Sequence, residues 1–468
     1  MLKGKMTIEL TDVRTGEKQT VVEHNMVTDA LAEIFRPLGL AKSPGKLLSS
    51  FAPYYTNLTA GLLLFDTAIP EDGSQLYPPA EANLIGCGVY NTQNNTTGTL
   101  RGGYNQTESE LNLTDRYMKY VYDFTTSQAN GTISSVCLTH LRGGYNGYGG
   151  RDAVCNSTVL GMQVCDGTLQ YVYTNYTGAN TGDKYSGYTV GTTELLFLID
   201  RETDSAYYFR INSATSITII RRRAYLKTVS ILENPNTTKK WVEETELTLS
   251  TALLSTGYVS YYFDIADNCL YLVSASASTT AANGTLNVVK IHALDWRVSY
   301  YTLTNTSGVT VSTSGTRFAL VHQGYLYLKA YSSPYNLYSF ELGNEANCSI
   351  FKTVGFSGLN GVFAYAINGR VYLEYLSSTS SYDRLYIANA NNKEILTSEI
   401  GYIWNYRYYA CYTPVLNEPL LWFSSMGNYS TGGFFILTNY LATINNLSEP
   451  VTKTADKTMK VTYIIQEQ

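Results

Sequence analysis

The groups able to carry acid–base, nucleophilic or metal chemistry are thinly spread along this chain. Its four histidines, His24, His140, His292 and His322, stand apart from any cysteine or carboxylate at ligand-like spacing. No G-x-S-x-G, H-E-x-x-H or G-x-x-x-x-G-K-S/T pattern occurs, so the usual sequence marks of a nucleophile elbow, a zinc helix and a phosphate loop are missing. The glycine-rich run 143–150 lacks the lysine and helix that a phosphate cradle needs, and reads as a connector. Carboxylates are numerous, and a glycosidase built from repeats can draw its carboxylates from separate repeats, so spacing leaves a glycan-cleaving site open. No Ser-x-Asp-x-Gly-x-Thr-Trp box supports one. Arg221 to Arg223 could meet an anion, although such a run more often lies on a solvated strand edge or turn. Seven cysteines without a C-x-x-C pair read mainly as small buried apolar residues, with Cys155 and Cys165 close enough in sequence to be an exception. The expectation is a protein that is not an enzyme, with no catalytic residue, no metal and no cofactor.

Binding chemistry is easier to find. Ser, Thr, Asn and Gly fill five loops, 174–188, 274–285, 330–336, 376–383 and 425–432, and tyrosines punctuate them. Tyrosine offers a rigid amphipathic contact, while Ser, Asn and Gly offer adaptable hydrogen bonds. The candidate binding residues are therefore Tyr176, Tyr185, Tyr331, Tyr335, Tyr382 and Tyr429. Taken singly, each is better explained as part of a polar turn. Net charge is −5, without the basic balance of a general binder of nucleic acid or anionic membrane.

The elements that must position these loops are strands. Only 15% of residues are charged, while 42 Tyr and 15 Phe with 37 Gly favour short strands and many turns. Segments 262–272, 318–328 and 363–373 share a strand–turn–strand frame; 409–422 is a looser copy, and 164–173 and 195–211 are plausible earlier ones. The second-strand anchors Leu270, Leu326, Val371 and Leu420 lie 56, 45 and 49 residues apart. Each copy continues into a third strand and usually a fourth, the pattern of a propeller blade at a period of ~40–50 residues. A β-propeller of about six blades is expected over residues 151–448.

Upstream, residues 3–22 predict a hairpin that turns at Arg14 to Glu17. A helix follows, capped by Thr28, with Leu31, Ile34, Phe35 and Leu38 at helical spacing. Residues 117–124 and 132–139 predict a second hairpin, with Asn130-Gly131 supplying the reversal. The tail, with Met459, Val461, Tyr463 and Ile465 alternating, either pairs with the amino-terminal domain or closes the propeller, and the first is preferred. The expected fold is thus mainly β: a discontinuous β-rich domain with one short helix (1–150 with 449–468), plus the propeller. The amino terminus lacks the apolar core of a signal peptide, and no stretch approaches the ~18 apolar residues of a membrane span.

Lys3-Gly-Lys-Met-Thr-Ile-Glu-Leu-Thr-Asp-Val-Arg-Thr-Gly-Glu17 and Asn25-Met-Val-Thr-Asp-Ala-Leu31 resemble the start of tail-associated structural proteins of gut bacteriophages. Gly61-Leu-Leu-Leu-Phe-Asp66 with Tyr77-Pro-Pro79, the 127–133 segment and Thr458-Met-Lys-Val-Thr-Tyr463 are similar to the same group. The 127–133 segment also resembles attachment domains of phage tail fibres. The resemblance covers residues 1–146 and 451–468. It implies a virion protein, a tail fibre or receptor-binding protein, whose terminal domain anchors to other virion proteins. The propeller would then be presented to a host-surface glycan or protein. A homo-oligomer is expected, with no nucleic-acid partner. A structural virion component (decoration or collar) and a glycan depolymerase are the alternatives.

Overall fold

The computed structural model describes residues 2–29, 59–79, 81–91, 98–112, 114–139, 190–200, 203, 205–223, 241–313, 319–332, 336–351, 362–367, 369–375, 383–400, 412–414, 416, 422–425, 433–436 and 440–467. The chain divides into two compact units, residues 1–162 with 398–400 and 435–468, and residues 163–397 with 401–434. Every named element is a strand. In chain order the first eight are β1 (Leu2–Asp12), β2 (Lys18–Val27), β3 (Gly61–Phe65), β4 (Leu84–Gly88), β5 (Arg101–Tyr104), β6 (Glu110–Asn112), β7 (Tyr117–Phe124) and β8 (Gly131–Thr139). The sheet of β9 (Leu195–Asp200), β10 (Ser205–Ser213), β11 (Ser216–Arg223) and β12 (Trp241–Thr248) comes next. It is followed by β13 (Val259–Asp264), β14 (Cys269–Ala275), β15 (Thr279–Thr280), β16 (Thr285–His292), β17 (Val298–Thr304) and β18 (Val311–Ser312). Then come β19 (Ala319–His322), β20 (Tyr325–Lys329), β21 (Leu337–Glu341) and β22 (Asn344–Ile350). After them run β23 (Val362–Ile367), β24 (Arg370–Tyr375), β25 (Asp383–Asn389) and β26 (Glu394–Ile400). Last are β27 (Tyr412–Pro414), β28 (Trp422–Ser425), β29 (Gly433–Ile436), β30 (Thr443–Lys453) and β31 (Lys457–Glu467).

The first unit corrects the expected β-rich domain with one short helix: its described strands close into a nine-stranded barrel, in the order β31-β1-β2-β30-β8-β3-β4-β5-β7 and back to β31. β1 and β2 form the predicted hairpin, with Gly16 at φ 72° and the Asp12 carboxylate accepting the Arg14 and Thr15 N–H groups at 2.8 Å. β31 lies between β1 and β7, antiparallel to both, and buries Met459, Val461, Tyr463 and Ile465. β7 and β8 are strands as expected, yet they are not a hairpin: β7 pairs with β5, β6 and β31, and β8 with β3 and β30. Both arms present apolar side chains, and burial inside a closed barrel is satisfied by any neighbour of matching register, not only by the next strand. The barrel is filled by Tyr122 and Phe124, and glycines make room for them. A Cβ at Gly88 would sit 2.5 Å from the Tyr122 ring, and one at Gly102 would sit 2.7 Å from that of Phe124. The hydroxyl of Thr28, the expected helix cap, donates to the Leu441 and Ala442 carbonyls. The rest of the predicted helix, from residue 30 on, lies outside the described residues.

The second unit corrects the other half of the expectation. Its described strands form the four-stranded antiparallel sheets β9–β12, β13-β14-β16-β17, β19–β22 and β23–β26, the three-stranded sheet β27–β29 and the two-stranded pair β15-β18, and no propeller topology is found. The repeat did mark real strand pairs: Leu270, Leu326 and Val371 are all buried second-strand residues. A strand–turn–strand repeat encodes a meander, whereas the arrangement of meanders about one another depends on how their faces cover each other. Sheet β9–β12 packs on β13–β17 through Phe197, Phe209, Tyr261 and Phe263. The opposite face of β13–β17 meets β19–β22 through Tyr271, Val273, Val321 and Leu328, and Leu320 and Tyr327 carry β19–β22 onto β23–β26.

Candidate functional site

A four-stranded meander has two ends. The first–second and third–fourth strand turns share one, and the second–third loop leaves from the other. Among the described residues, the loop 276–284 after β14 and the start of the loop after β20 leave from the loop end of their sheets. Tyr331, just after β20, is there and 60% exposed. Tyr176, Tyr185, Tyr335, Tyr382 and Tyr429 lie outside the described residues. The concentration of ionisable side chains is at the turn end, at the ends of β13, β16 and β19.

Asp264 closes β13, and its carboxylate lies 2.9 Å from Nδ1 of His322, the last residue of β19. It also accepts the Gln323 N–H at 3.1 Å, and Nε2 of His322 accepts the Gly369 N–H at 3.2 Å. An Nε2 that accepts leaves Nδ1 as the protonated nitrogen, so the imidazole donates to Asp264. Both side chains are sealed, at 0% and 1% exposure. Every polar atom of His322 is engaged and none reaches solvent, which makes it a clamp joining three sheets rather than a base. Two further contacts extend the clamp along β13: the Ala319 N–H donates to the Ser260 hydroxyl at 3.0 Å, and the Ala366 N–H to the Tyr262 hydroxyl at 2.8 Å.

Beside the clamp, Asp267 stands in the β13–β14 turn. Its Oδ2 accepts the Tyr271 hydroxyl at 2.6 Å and the Lys290 ammonium at 2.7 Å, and the ammonium lies 5.5 Å from the Tyr271 ring centre. Oδ1 of Asp267 has no hydrogen-bond partner. Register explains the grouping: Tyr271 and Lys290 are direct cross-strand partners, and Cys269 faces Asp264 two pairs further along β14. Burial, and then the hydrogen bond to Asp267, push the Tyr271 phenol far above its ordinary range, so it stays protonated. Burial works to lower Lys290, but the bond to Asp267 outweighs it and holds the ammonium above its usual value. Burial and the Asp267 charge push the Cys269 thiol up to about 12, which removes it as a nucleophile. Asp267 and Lys290 are 32% and 27% exposed in their side chains and within reach of a ligand, whereas Tyr271 is buried beneath them. The trio can hold a proton-transfer carboxylate next to a fixed positive charge.

Sequence spacing missed this cluster because Asp267, Tyr271, Lys290 and His322 meet only through strand pairing and sheet stacking. One signal was present: the repeat puts polar Asp264 and His322 where Ile367 stands, next to the turn. The four-residue turn of the first copy hides it, because the shared frame of 262–272 and 318–328 sets His322 against Ala266. The structure instead pairs Asp264 with Cys269, His322 with Tyr325 and Ile367 with Arg370.

The other marked residues have local roles or lie elsewhere. Arg221 is no free anion contact: it lies across from Glu243 on β12, 3.7 Å away, and 5.7 Å from the Tyr207 ring centre. His292 pairs with Asp295 at 2.9 Å, and His24 is exposed on β2. His140, the 143–150 run, Cys155 and Cys165 lie outside the described residues. Cys87, Cys137 and Cys269 are buried free thiols. Among the described residues no three His, Cys, Asp or Glu side chains are placed to hold a metal ion.

No protein-family model matches the chain, and no curated protein does. Among solved structures it is similar to a glutaminyl cyclase of Myxococcus xanthus, with TM-score 0.28 and 11% identity over 56% of this chain and 93% of that one. It is also similar to Zg3597, a family 117 glycoside hydrolase of Zobellia galactanivorans, with TM-score 0.27 and 9% identity over 63% of this chain and 87% of that one. An oligogalacturonate lyase in complex with manganese gives 0.24 and 10% over 96% and 99%. Likeness this slight carries no activity across. The expectations of a non-enzymatic protein and of a tail fibre or receptor-binding protein built on a propeller are corrected all the same. The propeller on which the tail-fibre reading rested is not found, and the three structures named above are enzymes by their titles, which is said of them alone.

Proposed function

We propose that the protein is a glycan-cleaving enzyme whose reactive groups lie at the turn end of sheet β13–β17. The observation that carries this reading is the Asp267 carboxylate, about one-third exposed, bound on Oδ2 by Tyr271 and Lys290 while its buried Oδ1 has no partner. Asp267 is the proton-transfer group, and Lys290 supplies the positive charge that meets negative charge on the sugar as the bond breaks. Tyr271, buried and protonated, is a positioning residue that fixes the carboxylate. The test is incubation of the full chain with a panel of neutral and uronate-containing polysaccharides. New reducing ends alone mark hydrolysis, and new reducing ends with ultraviolet-absorbing unsaturated sugars mark elimination. Asp267→Asn is expected to lower fragment release at least ~100-fold with unfolding unchanged. No release from any polysaccharide, or equal release by the variant, rejects the reading.

The resemblance of residues 1–146 and 451–468 to tail-associated phage proteins supports a place for the barrel in a virion, against other virion proteins and as a homo-oligomer. Mass spectrometry of purified particles tests this, and absence of the chain from them rejects it.

A further inference from the structure

The barrel has a seam. β2 pairs with β30 at only two positions, Met26 with Ile444 and Val27 with Thr443. The next pair in that register, Asn25 and Asn445, does not form. β30 instead bends away: the Asn446 amide donates to the Ile69 carbonyl at 2.7 Å, and Ser448 donates to the Glu23 carboxylate. The carboxamides of Asn25 and Asn445 are left buried at the break, and none of their four nitrogen and oxygen atoms has a hydrogen-bond partner. Asn445 is 1% exposed. Both side chains lie against the Tyr463 phenol, whose hydroxyl donates to the Thr443 hydroxyl at 2.7 Å. Room for Asn25 comes from Gly4, its partner on β1: a Cβ at residue 4 would lie 2.0 Å from the Asn25 carboxamide oxygen.

Four unmet polar atoms in one enclosed place are costly, and native interiors almost always meet them with protein or a bound molecule. Thr443 and Tyr463 beside the carboxamides are uncharged, and the Glu23 and Glu71 carboxylates at the break are bound by Ser448 and Asn446, so an ion beside the carboxamides would lack a free counter-charge, and an apolar guest would leave every amide unmet. Each carboxamide offers both donors and an acceptor, which a hydroxyl can answer from both sides. We propose that the seam is an internal binding site for a small neutral hydroxyl ligand, held by Asn25 and Asn445 beside Tyr463. Two sources share that chemistry, ordered water and a small polyol.

The experiment compares the full chain with Asn25→Leu/Asn445→Leu. Water-17O relaxation dispersion is expected to show long-lived internal water that decreases in the double variant. If a polyol is the occupant instead, erythritol raises the Tm of the parent and not of the variant. A dispersion and an erythritol response both unaltered by the substitutions, or a variant more stable than the parent, overturn the site, since removing unmet amides from a dry core stabilises it. Should the variant not fold, an atomic-resolution crystal structure of the parent decides. Density bonded to both carboxamides supports the site, and its lack overturns it.

Discussion

His322 and Asp267 show how similar chemistry serves opposite ends. The imidazole has spent both nitrogens on Asp264 and Gly369 and cannot reach solvent, while the Asp267 carboxylate keeps one oxygen without a protein donor. His322→Ala would leave Asp264 sealed without its main partner, and breaking a buried pair in this way costs ~3–5 kcal/mol. Urea unfolding of the variant is expected to show a loss of that size. A change below ~1 kcal/mol would mean that water replaces the ring. Asp267→Asn, which touches a partly exposed ion pair, should leave the urea midpoint nearly unmoved and act on turnover alone.

At the level of the strands, the barrel depends on close approach between glycines and rings. Gly88→Ala drives a methyl group against the Tyr122 ring, which is itself fully buried and cannot yield, so a loss of ~1–3 kcal/mol is expected. Gly98→Ala meets no atom within 4 Å and should stay within ~0.5 kcal/mol of the parent, which makes it the control. β30 adds a pH dependence. Lys453 is 1% exposed and donates to the Asn130 side chain at 2.8 Å, and burial lowers its value from 10.5 to about 8. Between those two values the unfolded chain holds a proton that the folded chain has released, so folding stability rises with pH through this window. Lys453→Met should flatten that rise in unfolding measurements from pH 8 to 10. An unchanged slope would show that the ammonium stays charged in the fold.

Across the whole chain, the last strand closes what the first began. β31 pairs along its length with β1 and β7, so a chain ending at residue 456 leaves two barrel edges open and exposes Met6, Ile8 and Tyr122. Amide exchange of that truncation is expected to show β1 and β7 unprotected, with β13 to β22 still protected. Retained protection in β1 and β7 would mean that the barrel closes without it.

Alternation and turn chemistry were enough to place β1, β2, β7, β8, β31 and the repeated strand pairs on the sequence, because these depend on neighbours two to ten residues away. The partners of β7 and β8, the closure of the barrel and the arrangement of the meanders were not legible. An apolar strand face is satisfied by any surface of matching register, and the choice among such surfaces is made by shape, as Gly88 and Tyr122 show. The same holds for the site. Tyrosine-rich loops stand out in composition, whereas Asp267, Tyr271, Lys290 and the Asp264–His322 clamp become neighbours only when hydrogen-bonded registers and stacked sheets bring distant turns to one end. The sequence by itself determined which segments are strands and which residues could do chemistry; only the tertiary structure decided which of those residues share a low-dielectric space, where their charges and protons can act on one another.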